Sequence, residues 1–165
     1  MARYFTPSVL LAFLVVSFSS FFCGSIHLAN AETTLFKGQT VYVPVYSHIY
    51  SGDREQPFYL AATLSIRNTD RSHGIVIQAV DYYDSEGNFL KHYLKQPVSL
   101  SAMATLRYVV PESDKSGGSG AKFIIQWKSE NPVAEPLIES VMISTKTQQG
   151  ISFTSRGRVL EAVSP

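Results

Sequence analysis

Cysteine is almost missing from this chain: the single one, Cys23, sits in an apolar N-terminal segment, so whatever folds beyond it has no disulfide to brace it. A thiolate nucleophile and a cysteine-based metal cluster are excluded there for the same reason. Charge is also sparse, at 16 % of residues, and no basic run occurs anywhere. Binding to a phosphate backbone needs clustered Lys and Arg, which argues against nucleic acid as a partner. The same absence argues against polybasic attachment to anionic lipid. Helical periodicity is lacking too, since from Glu32 onward no stretch repeats apolar residues at helical spacing long enough for a stable helix. There is no G-x-S-x-G elbow to activate a serine. His48, His73 and His92 lie in three separate segments without the short spacings of metal ligands. These absences lead us to expect no enzyme, no cofactor and no metal.

What is present begins with a leader. In Met1 to Ala31 the only charge is Arg3, Val9 to Phe22 is an apolar run, and Ala29-Asn30-Ala31 is an A-x-A processing site. The run is shorter than the ~20 residues that span a bilayer, so residues 1–31 are expected to be a cleaved signal peptide. Lipidation of Cys23 is the competing reading, and the bulky Phe21 and Phe22 before it argue against that. Membrane association is expected only if Cys23 is lipidated or the leader stays uncleaved. Cleavage removes Arg3 and leaves 13 basic against 13 acidic side chains, a formal net charge of zero. The remaining residues 32–165 are enough for one domain that buries roughly two-thirds of its unfolded surface.

That domain is expected to be built from short strands. Val41, Val43 and Val45 alternate with Tyr42, Pro44 and Tyr46, which puts valines on one face and an amphipathic set on the other. Pro44 has no N–H for a ladder, so this strand must be an edge, be bulged or end there. Leu60, Ala62, Leu64 and Ile66 mark a second inward face. Ile75 to Tyr83 is apolar on both faces and is placed centrally; residues 84–88, with Gly87, turn it into a hairpin with Phe89 to Leu94. Leu106, Tyr108 and Val110 form another strand, and Glu112 to Gly120 reads as a mobile loop. Phe123, Ile125 and Trp127 share a face, with Trp127 a core anchor. Pro132 and Pro136 argue against a sheet interior between them. Leu137 to Ser144 is extended, Gln148-Gln149-Gly150 turns, and Ile151 to Leu160 closes the chain with Gly157 at a bulge or a close approach. The expected fold class is an all-β, antiparallel β-sandwich of immunoglobulin-like or fibronectin-like kind, with a small barrel as the alternative.

Candidate binding residues follow from what the strands leave exposed. Tyr46, His48 and Tyr50 follow Pro44 in a cluster of tyrosines, a residue type that offers apolar area with a polar tip. Arg156 and Arg158, two apart, are expected on one face of the last strand, either as an oxyanion fork or as charge that protects an edge. Asp81 and Glu139 interrupt apolar strands and are expected to face outward with a paired cation. No catalytic residue is nominated.

The segment Val41 to Tyr50 and the closing Gly150-Ile151-Ser152-Phe153-Thr154-Ser155-Arg156-Gly157-Arg158 resemble a family of small exported bacterial proteins, the domain of unknown function 3124 family. The resemblance implies a bacterial envelope protein, periplasmic or secreted, and supplies no activity, substrate or catalytic residue to carry over. The expected function is a non-catalytic binding module for an envelope protein or glycan, using Tyr46, His48, Tyr50, Arg156 and Arg158. The alternative is a carrier of a small ligand or metal through His48.

Overall fold

The computed structural model describes residues 34–144 and 150–165, and among them every regular element is a strand. The expected leader, Cys23 and the Gln148-Gln149 turn lie outside the described residues. In chain order the strands are β1 (Leu35–Pro44), β2 (His48–Ser51), β3 (Gln56–Tyr59), β4 (Ala61–Arg67), β5 (Ile75–Tyr83) and β6 (Phe89–His92). There follow β7 (Val98–Leu100), β8 (Thr105–Val110), β9 (Lys122–Ala134), β10 (Leu137–Ser144), β11 (Ile151–Arg156) and β12 (Arg158–Val163). One sheet has the order β12-β1-β9-β5-β6, with β7 also on β5, and a second has the order β11-β10-β4-β8. β2 and β3 pair only with each other, as a ribbon.

Alternation explains the core. Val41, Val43, Phe123, Ile125 and Trp127 from the larger sheet pack in one cluster with Leu64, Ile66, Ile138 and Met142 from the smaller. All of these are buried, so the described residues form an all-β sandwich of antiparallel sheets. Trp127 is an anchor, and its indole N–H donates to the buried Gln39 Oε1 at 3.2 Å. The hairpin at residues 84–88 forms, with the Asp84 carboxylate accepting from the Asn88 backbone N–H at 2.7 Å.

One local expectation holds in one of its forms and three change once strands find neighbours. Pro44 does end its strand, but β1 is not an edge; it lies between β12 and β9. β5 is not covered on both faces: a bulge between Ile77 and Ala79 switches the inward set from Ile75 and Ile77 to Val80 and Tyr82. β9 runs straight through Pro132, because β1 skips from Gly38 opposite Lys128 to Phe36 opposite Val133 and leaves the proline in the bulged stretch. The closing strand is two strands. β11 belongs to the smaller sheet and β12 to the larger, and Gly157 is the crossing point.

Gly157 is required by proximity. A Cβ there would lie 2.8 Å from Val41 Cγ1 and 2.9 Å from the Ile138 carbonyl oxygen. Its N–H donates to that same carbonyl at 2.8 Å, which holds the crossing chain against both sheets. Gly157→Ala is therefore expected to lower stability by about 1–3 kcal/mol through overpacking, measured as a shifted midpoint in urea unfolding.

Asp70 staples the β4–β5 loop to the tail of β9. Its Oδ1 accepts from the N–H groups of Ser72 at 2.8 Å and His73 at 2.9 Å, and its Oδ2 from Ala134 at 3.2 Å. These N–H groups, Ser72 first, hold its carboxyl down to about 2 from the usual 3.8. Between those values the unfolded chain binds the proton and the folded chain does not, so stability is present above pH 3.8 and drains as pH falls towards 2. Unfolding of the Asp70→Asn variant should show less dependence on pH in that window than the parent.

Candidate functional site

Beyond Pro44 the chain leaves the sheet and builds the β2–β3 ribbon. In its register His48 faces Tyr59, Ile49 faces Phe58 and Tyr50 faces Pro57. Alternation therefore splits it into two surfaces. Ile49 and Phe58 are half-buried against the core, while His48, Tyr50, Pro57 and Tyr59 form the other surface. The His48 ring meets Tyr50 edge-on at 5.1 Å and Tyr59 at 5.9 Å. Lys115 Nζ stands 4.1 Å above the centre of the Tyr59 ring, a cation–π contact that closes the cluster at one end. Beside it, Tyr59, Glu112, Ser113 and Lys115 line an open pocket of about 710 Å³. Tyr50, at the other end, is 54 % exposed.

A two-stranded ribbon is marginal on its own, so its base must be held. Ser47 does this: it is buried, its N–H donates to the Gly118 carbonyl at 2.9 Å, and its carbonyl accepts from the Leu60 N–H at 3.0 Å. Its hydroxyl lies 3.3 Å from the Tyr82 phenol oxygen. The loop Glu112 to Gly120, expected to be mobile from its composition, is instead docked. Ser85 Oγ donates to the Gly117 carbonyl and accepts from the Gly120 N–H. A Cβ on Gly117 would overlap the Tyr82 phenol oxygen, so glycine serves here for close packing. Burial, partly opposed by the Ser47 bond, raises the Tyr82 phenol above its ordinary value, and burial lifts Tyr93 beneath the same region to about 12. Both therefore stay neutral at physiological pH.

The residues nominated from the sequence separate in space. His48 and Tyr50 share the ribbon surface. Tyr46 turns to the rim of the core, where its ring meets Phe153 of β11 at 5.6 Å. Arg156 lies opposite Glu139 on the smaller sheet, and Arg158 opposite Tyr42 on the larger. The expectation that the two arginines share a face is thus overturned, because the chain changes sheet between them. Each stands exposed on an edge strand, as the edge-protection reading has it. Glu139 pairs with Arg67 at 3.6 Å and Asp81 with His92 Nδ1 at 2.8 Å, both on outward faces. His73 sits with Asp70, so the three histidines stand apart. Among the described residues no group of three metal-ligating side chains gathers.

Tyr59 and Lys115 belong to the surface and were not nominated. Tyr59 was within reach, since a hairpin across Gly52-Asp53-Arg54-Glu55 puts it opposite His48. Lys115 had no local signal, for only the docking of its loop brings it over that ring. Removing the exposed ring in Tyr50→Ala should change stability by less than about 0.5 kcal/mol. Phe58→Ala, on the packed surface, should cost about 2 kcal/mol in urea unfolding.

The chain is similar to one solved structure, described as the crystal structure of Thermotoga maritima 1070, at 13 % identity. The alignment covers 75 % of this chain and 96 % of that one, with a TM-score of 0.45. No curated protein matches the chain. Residues 38–160, which run from β1 through the sheet crossing at Gly157 into β12, match the family described as "Protein of unknown function (DUF3124)", and the chain belongs to that family.

Proposed function

We propose that the protein is a non-catalytic, exported binding module of the bacterial cell envelope, a sandwich of immunoglobulin-like or fibronectin-like kind. It engages an envelope protein through the His48, Tyr50, Tyr59 and Lys115 surface of the ribbon. The observation that carries this reading is the ribbon itself: it pairs with neither sheet, packs one side on the core and groups the rings of His48, Tyr50 and Tyr59 on the other, with Tyr50 exposed. Tyrosine buries a large area at the cost of only two side-chain torsions, which suits protein contacts. Export rests on the leader, with Arg3, the apolar run and Ala29-Asn30-Ala31. The carrier alternative has less support, because the ring neighbours of His48 are Tyr50 and Tyr59, which offer it aromatic edges and no second imidazole or carboxylate.

The test places a photo-crosslinking amino acid at Tyr50 in the bacterial host, with Thr154 on the outer face of the smaller sheet as control. The expected result is a discrete adduct from position 50 alone, containing a chain that begins at Glu32 and is lost when Tyr59→Ala is added. Adducts that do not differ between the two positions, or none at position 50, would overturn the ribbon as a docking surface.

A further inference from the structure

The outer face of the larger sheet holds a second constellation, remote in function from the ribbon. In the ladder, Glu161 of β12, Thr40 of β1 and Gln126 of β9 stand side by side. Their neighbours Val41, Ile125 and Trp127 are buried, so this row points outward. On β5 the row reaches Ala79, where a regular strand would offer only a methyl. The bulge between Ile77 and Ala79 brings Gln78 to that place instead. A second bulge, between Thr40 and Val41 on the β12 side, adjoins the same spot. Four neighbouring strands thus surround a shallow pocket of about 400 Å³ lined by a carboxylate, a hydroxyl and three primary amides, of which Gln39 is already bonded to Trp127 and Gln78 and Gln126 belong to the outward row. At the usual strand spacing the row is ~14 Å wide.

The chemistry of this row is selective. No Lys or Arg lines the pocket, and one carboxylate does, so an anionic ligand is disfavoured. None of the four side chains is engaged in a hydrogen bond or ion pair among the described residues. A primary amide carries a donor and an acceptor in one plane and matches a pair of adjacent hydroxyls. A carboxylate accepts two more, and a threonine hydroxyl both gives and takes. Uncharged, closely spaced hydroxyls are the surface of a neutral sugar.

The same face continues towards an exposed ring. Two rows further along the strands, ~14 Å from the pocket, Tyr83 of β5 pairs with Phe89 of β6. Phe89 is 46 % exposed, with its ring 5.7 Å from Tyr83 and 4.4 Å from His92. A linear saccharide of three or more residues leaving the pocket along β5 reaches it, and the apolar C–H face of a pyranose suits an open ring. We propose that the outer face of the larger sheet binds a neutral oligosaccharide, with Thr40, Gln78, Gln126 and Glu161 holding the hydroxyls of one residue and Phe89 packing on a later one.

The test titrates chitohexaose, cellohexaose and maltohexaose, three uncharged linear hexasaccharides, into the whole protein by calorimetry. Side-chain amide resonances of 15N-labelled protein are followed in parallel. Saturable binding of at least one of them is expected, with shifts at the Gln78 and Gln126 amides. Gln126→Ala should weaken it about tenfold, the loss of a hydrogen-bonded pair. Phe89→Ala should weaken it as well, while Arg107→Ala on the opposite sheet leaves it unchanged. Gln126 is exposed, and an unchanged urea midpoint would establish that its variant is folded. Failure of all three sugars to bind saturably, or full affinity retained in folded Gln126→Ala and Gln78→Ala variants, would overturn the proposal.

Discussion

The architecture turns on how β1 stops. Val45 donates its N–H to Ala121 on the β9 side, so by alternation the missing N–H of Pro44 falls on the other side. There the ladder with β12 has already ended, at Tyr42 opposite Arg158, because the chain crosses to the smaller sheet at Gly157. No partner is left without a donor. The Pro44 carbonyl, which faces the same way, accepts from the Ser140 hydroxyl on β10, so the strand end is tied to the opposite sheet. A proline in the middle of a sheet is tolerated because its neighbour strand departs at that level.

Once β1 has ended, the chain is free to build the ribbon, and the glycine-rich loop supports it. Ser47, Tyr82 and Gly117 form a buried contact at the ribbon's base, and Ser85 pins the far side of the loop. Composition suggests a flexible linker because Ser and Gly have little to pack with. In the fold they serve a different need: they let backbone approach the Tyr82 phenol ring and the turn at Ser85. The same loop delivers Lys115 to Tyr59, so the support of the ribbon and the edge of its aromatic cluster come from one segment.

The two surfaces differ because they arise differently. The ribbon projects rings from a pair of strands with one apolar side, a shape suited to burial against a partner. The row of Glu161, Thr40, Gln126 and Gln78 lies flat on a sheet, where alternation supplies outward polar groups and a bulge adds one more. Arg156 and Arg158 stand outside the ribbon and the row, on the two edge strands β11 and β12, where charge discourages a further strand from pairing.

Alternation of apolar residues and the chemistry of turns depend on near neighbours, and they determined much of this protein without the structure. They settled the strand-only class, the inward valines of β1, the inward face of β4, the β5–β6 hairpin and the anchoring role of Trp127. His48 and Tyr50 were legible as a pair for the same reason, standing two apart on one strand face. Only the tertiary structure decided that β1 is interior, that β9 passes Pro132 through a bulge, and that residues 151–160 divide between two sheets. Those outcomes depend on which strand lies beside which, and that is settled by packing between residues far apart in the chain. Lys115 over Tyr59, the separation of Arg156 from Arg158, and Gln78 beside Gln126 are all of this second kind.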